Sequence, residues 1–237
     1  MPFTLAHPAA VLPLRRYCPR LLSFPALVLG SVAPDVGYLF GMLHADEFSH
    51  GWIGSVVFGM PVGALMLCVL YGLRSMTVGF LPERCREPFL QACRKPPSSP
   101  LAIAVSLVIG IWTHIAWDSF THRDGWLVER LAMLQYPIAP VAGHWVRVCH
   151  VLWYVCTFAG VAWLCLAFQR WEESVASAPA PGPHWARTRD ALLCAALVVP
   201  VAATHHLVRN AFGTCLVAAA AMLIVIVFAL HTACRAR

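Results

Sequence analysis

Two ionisable residues in an apolar run could carry chemistry. His114 and Asp118 stand four apart within residues 101–120, LAIAVSLVIGIWTHIAWDSF. A helix over that run puts both side chains on one face, one turn apart. That is the disposition of two ligands to one metal, or of a carboxylate bridging two. An ionisable pair in hydrocarbon is costly, so it normally faces a protein interior or a watery cavity. The structural alternative is a hydrogen-bonded pair that locks two helices together. Three more candidate ligands stand upstream. His7 lies in the opening MPFTLAHPAAVLPLRR. Asp35 follows Pro34 in GSVAPDVGY, where proline fixes the backbone and flanking glycines let another segment approach; it is a ligand or the cap of a broken helix. His50, in DEFSHGW beside Trp52, is a ligand or an interfacial anchor. His7, Asp35, His50, His114 and Asp118 make up the expected metal site.

Other residues could serve that site. His44, Asp46 and Glu47 could supply a supporting partner or a base, or be solvated loop residues. His122, two helical turns after His114, could be a ligand, a substrate contact or an interfacial residue. His144 and His150 lead into the next apolar run, and His150 lies just inside it. His122 and His150 are therefore the candidates for a further ligand or an acid/base. His205 and His206 close a later run and read as interfacial. Arg123 and Arg147 could meet an anionic group such as a phosphate, or anchor the chain at a membrane edge. No G-x-S-x-G, Walker A or H-E-x-x-H pattern occurs, which leaves serine-hydrolase, nucleotide and zincin readings without support.

The elements that must position these residues follow from composition. The chain has 237 residues, 59% of them apolar and 12% charged, with a mean hydropathy of +0.69. A soluble domain carries about 25% charged residues, so a polytopic membrane protein is the class that fits. Residues 52–73, 101–120, 148–168, 191–207 and 212–231 are each long enough, or nearly so, to cross a bilayer at about 20 residues per helix. A sixth run, 21–43, is interrupted by Pro25, Gly30, Pro34, Asp35 and Gly37, and reads as a full crossing, a half-helix or a re-entrant segment. A full crossing would strand His7 on the far side from the other ligands, whereas a re-entrant segment could return it. The expectation is a single all-α membrane domain over residues 1–237, with about six helices and a broken helix within 1–51.

Arginines in residues 74–100 and 169–190, and at the end of the chain, place those segments on the cytoplasmic side. Asp35, His50 and the His114/Asp118 end of its run then lie near the outer leaflet. The opening lacks a signal-peptide pattern, so no cleaved leader is expected. The net charge of +6 reads as topology rather than nucleic-acid binding, since no basic patch is interleaved with aromatics. The ten cysteines include no C-x-x-C pair and read as small buried hydrophobes. The stretches PPSSP (96–100) and PAPGP (179–183) read as linkers.

MPFTLAHPAAVLPLRR, GSVAPDVGY, FSHGWIG and the THIAWDSFTH block together resemble an uncharacterised bacterial family of polytopic membrane proteins, a domain of unknown function. The order of an early His, Pro-Asp, His and then His-x3-Asp is similar to the inner-membrane metal-dependent hydrolase family. It is more distantly similar to zinc-dependent phospholipase C and P1-type nuclease, in which a helical bundle holds a zinc cluster that cleaves phosphoester bonds. The resemblance implies that His7, Asp35, His50, His114 and Asp118 hold one or two divalent ions, zinc by analogy, with Asp35 or Asp118 bridging if there are two. The further His-x3-Glu pair of the soluble enzymes has no counterpart after His144 or His150. A metal-dependent hydrolase of a phosphoester in a membrane lipid or lipid-linked molecule, in the bacterial inner membrane, is the expectation. The alternatives are a non-enzymatic transporter or assembly factor using the same cluster as an ion or proton site, and a haem protein with axial His114 and His150.

Overall fold

The computed structural model describes residues 4–18, 20–39, 48–73, 83–92, 99–141 and 144–175. The expected spans at 191–207 and 212–231 lie outside the described residues, as do His44, Asp46, Glu47, His205, His206 and the PAPGP linker. Within the described residues the chain is mostly helical. It begins with α1 (Pro8–Val11) between 3-10 turns at Thr4–Ala6 and Leu12–Tyr17. Then come α2 (Phe24–Gly30), a 3-10 turn at Ala33–Asp35 and α3 (Val36–Leu39). Next are α4 (Trp52–Gly72), α5 (Glu83–Ala92), α6 (Pro100–Thr121), α7 (Trp126–Arg130) and α8 (Ala132–Gln135). Strands β1 (Pro137–Val141) and β2 (His144–Arg147) feed directly into α9 (Val148–Val175).

Among the described residues three helices are long and apolar enough to cross a bilayer: Trp52–Gly72, Pro100–Thr121 and Val148–Trp171. They coincide with the first three long runs of the sequence. Helix α6 starts where Ser99 accepts a hydrogen bond from the Ala102 amide at 3.2 Å and Pro100 occupies the first helical position. Both features suit a helix N-terminus, one by satisfying an orphan donor and the other by lacking one. Helix α4 widens to a π turn over Ser55–Gly59 before Pro61 resumes the α-helix.

The run 21–43 does not form one continuous helix. Its α2 is seven residues, about 10 Å long, against the roughly 30 Å of a hydrocarbon core. The chain breaks after Gly30 and turns again through Ala33–Asp35, where Pro34 has no amide to extend a helix. The expected break is therefore present, and a single-helix crossing is not.

Two further differences from the sequence reading concern loops. Residues 83–92, expected within a cytoplasmic loop, include the helix α5. The segment after α6 contains an antiparallel hairpin, so the described architecture is not purely α. Pro137 and Pro140 fit β1 because a two-stranded ribbon has free edges that need no amide donor.

The N-terminal segment is held against α9. Ala6 packs with Trp153, Val161 and Ala162. Helix α2 is held against α6 by direct backbone approach. A side chain at Gly110 would overlap the Leu27 carbonyl oxygen and sit 2.8 Å from the Ser31 amide; one at Gly30 would sit 2.5 Å from the Leu107 carbonyl oxygen. The glycines thus set how closely α2 and α6 cross. At the start of α2, the Ser23 amide donates to Ser106 Oγ at 2.8 Å, a second polar tie across the same pair.

Candidate metal centre

His114 and Asp118 are on the buried face of α6, with no exposure for His114 and 6% for Asp118. The α2–α6 crossing delivers the first support. His114 Nδ1 donates to the Ser31 carbonyl at 2.8 Å, and because a carbonyl can only accept, this fixes the tautomer and turns the Nε2 lone pair inward. The turn at Ala33–Asp35 brings the Asp35 carboxylate opposite. His114 Nε2 is 3.2 Å from Asp35 Oδ1 and 3.1 Å from Asp118 Oδ2.

His50 enters from the segment leading into α4. Ser49 donates its hydroxyl proton to the Pro34 carbonyl at 2.8 Å. Its oxygen therefore accepts from His50 Nδ1 at 3.3 Å, which again leaves an inward Nε2 lone pair. His50 Nε2 lies 3.2 Å from His114 Nε2, and 3.5 Å from both Asp35 Oδ1 and Asp118 Oδ2.

Asp35, His50, His114 and Asp118 thus present four ligand atoms, all within 4.8 Å of one another. For bonds of 2.0–2.1 Å the edge of a tetrahedron is about 3.3 Å. The five edges that involve a histidine nitrogen run from 3.1 to 3.5 Å. The four converging atoms are all acceptors. Asp35 Oδ1 and both oxygens of Asp118 are buried without a hydrogen-bond partner among the described residues. Two carboxylates gathered in an apolar interior are costly to keep charged, and a divalent cation at their meeting point offsets that cost. The residues present fit a metal ion.

His7 joins the cluster differently. Its ring stacks on His114 with centroids 3.8 Å apart, and its Nε2 faces the other oxygen of Asp118, Oδ1, at 3.5 Å. It is fully buried, and both ring nitrogens lack a hydrogen-bond partner among the described residues. Burial pulls its pKa down to about 3, so the imidazole is neutral. Full burial works against the charge of the Asp35 carboxyl. Thr4 supports that charge, donating its hydroxyl to Asp35 Oδ2 at 2.6 Å.

All five expected ligands therefore meet, four around one point and His7 beside them. The two expected acid/base residues separate. His122 Nδ1 donates to the Asp118 backbone carbonyl at 3.2 Å and lies 3.5 Å from Asp118 Oδ1. That leaves the Nε2 lone pair of His122 available, and its side chain is 23% exposed. His150 makes no described contact with the cluster; its Nδ1 accepts from the Arg147 amide at 3.2 Å. Thr4, Ser31, Ser49 and the Pro34 carbonyl were not singled out by sequence. Two of the four act through backbone oxygens, which carry no residue-type signal.

The profile of a domain of unknown function, DUF4184, matches residues 1–236. The chain belongs to the DUF4184 family. Among curated proteins none matches the chain, and among solved structures none does either. The His/Asp cluster of this DUF4184 chain, which could hold a metal ion, is defined by its own geometry. Of its four convergent side chains His50 is the most accessible, at 24% exposure.

Proposed function

We propose that this DUF4184 chain is a membrane-embedded metal-dependent hydrolase, acting on a phosphoester of a lipid or lipid-linked molecule. The observation that carries the proposal is the convergence of Asp35, His50, His114 and Asp118 at tetrahedral spacing, with both imidazole tautomers set for coordination. A divalent ion such as zinc supplies a Lewis acid for a phosphoryl oxygen and an activated water. The chain's own residues would do the rest. Asp35 and Asp118 supply the negative charge that retains a divalent ion. Ser31 and Ser49 keep His114 and His50 oriented. His122, anchored through Nδ1, offers Nε2 to accept a proton from the attacking water or to return one to the leaving oxygen. The preference for a lipid substrate is supported by the three helices long and apolar enough to cross a bilayer, and that for a phosphoester by the similarity in ligand order to the metal-dependent hydrolases.

The test is metal content by mass spectrometry on detergent-purified protein, wild type beside His114→Ala, followed by phosphate release from phosphatidate and related phospholipids. At least one equivalent of zinc or a similar ion, lost in the variant, together with metal-dependent turnover, is the expected result. A folded wild type without metal refutes the centre. Metal without turnover on any phosphoester refutes the hydrolase and leaves an ion-handling membrane protein.

A further inference from the structure

We propose that Arg123, Arg147 and His150 form an anion subsite beside the metal centre, shaped to hold a phosphate group of the ligand. The inference rests on the metal-dependent reading for what it serves, but its own evidence is independent. Phe120 at the end of α6, Leu127 and Val128 of α7, and Val148, Cys149 and Leu152 at the start of α9 pack in one apolar cluster. That packing sets the residues leaving α6 beside the junction of β2 and α9. His122, whose ring touches Asp118, is followed at once by Arg123. Arg147 is the last residue of β2, and His150 lies in the first turn of α9. The Arg147 amide donates to His150 Nδ1 at 3.2 Å, which joins those two residues, and the packing of Phe120, Leu127 and Val128 on Val148, Cys149 and Leu152 brings the segment that carries Arg123 to the same junction.

The three side chains of the subsite each offer a donor. His150 Nδ1 accepts the Arg147 amide, so in the neutral ring the proton is on Nε2. Arg123 and Arg147 bring planar forks that match phosphate oxygens. The 28-residue α9 adds the positive end of its dipole. Neither Arg123 nor Arg147 has an ion pair with a carboxylate among the described residues. Arg130 differs: it lies over the Trp126 ring at 4.2 Å and donates to the Trp126 carbonyl at 3.0 Å. Arg123 is exposed, and Arg147 and His150 are half-buried, so the subsite is open to a ligand. A cluster of acceptors that suits a cation thus stands next to side-chain donors that suit an anion.

The test uses the full chain in zwitterionic detergent, titrated with inorganic phosphate, as wild type, Arg123→Gln, Arg147→Gln, the double variant and His114→Ala. Arg147→Lys serves as the charge-preserving control for folding. Each single Gln variant should weaken phosphate binding about tenfold, and the double variant more, while metal content stays at the wild-type level. Phosphate binding that persists in His114→Ala and still depends on the arginines supports the subsite even if the metal reading fails. Wild-type affinity in the double variant, or no phosphate binding in the wild type, overturns the subsite and leaves the metal centre untouched. A parallel titration into nanodiscs containing phosphatidate, against phosphatidylcholine alone, identifies the source. Arginine-dependent retention of phosphatidate names a lipid headgroup, and retention of inorganic phosphate alone names a soluble one.

Discussion

Replacing Gly110 by Ala should damage metal binding without touching a ligand. A Cβ there would sit 2.8 Å from the Ser31 amide and 3.0 Å from the Gly30 carbonyl carbon, besides overlapping the Leu27 carbonyl oxygen. All three are backbone atoms, so no side-chain rotation relieves the contact. Ordinary contact begins at 3.4 Å, so α2 and α6 must part by about half an ångström or more. The His114–Ser31 hydrogen bond, 2.8 Å in the structure, would then stretch to roughly 3.4 Å, beyond the range of a good N–H···O bond. Losing such a support costs about 10–100-fold in metal affinity, and the overpacking costs about 1–3 kcal/mol of stability. The assay is competition with a chromophoric chelator, with size-exclusion and circular dichroism confirming the fold. Gly72→Ala is the control, because nothing lies within 4 Å of a Cβ at that position. Gly30→Ala should act like Gly110→Ala, and the double variant should cost less than the sum, since both report on one crossing. Wild-type metal affinity in folded Gly110→Ala would refute the claim that this backbone approach orients His114.

Two other outcomes are expected. Thr4→Val should weaken metal binding about tenfold or more by removing the donor on Asp35 Oδ2, and Thr4→Ser should restore it; equal affinity in all three proteins, by the same chelator competition, would remove Thr4 from the centre. His122→Gln should keep its metal yet lose about 10²–10⁴-fold in turnover of whichever phosphoester the wild type cleaves, and unchanged turnover would deny His122 an acid/base role.

The character of the fold was legible because it is local. Runs of about 20 apolar residues name spans without reference to any partner, and three of the five recur as helices at nearly the expected bounds. The one-face pairing of His114 and Asp118 follows from helical period alone. The break in residues 21–43 was written in Pro25, Gly30 and Pro34. The hairpin was not foreseen, because β1 is five residues with two prolines and β2 only four residues, too short to carry a clear periodicity.

The site divides along the same line. Residue types and costs of burial singled out His7, Asp35, His50, His114 and Asp118, since ionisable groups in a chain this apolar need partners. What sequence alone determined is therefore the membrane-helical class and the identity of the side chains that must meet. Only the tertiary structure decided how they meet. It put Asp118 Oδ2 toward His50 and His114 but Oδ1 toward His7 and His122. It also supplied Ser31 and Pro34 as hydrogen-bond acceptors and left His150 with the arginines. Those choices depend on how closely two backbones cross at Gly30 and Gly110, and on carbonyl groups that every residue has, so no residue type announces them.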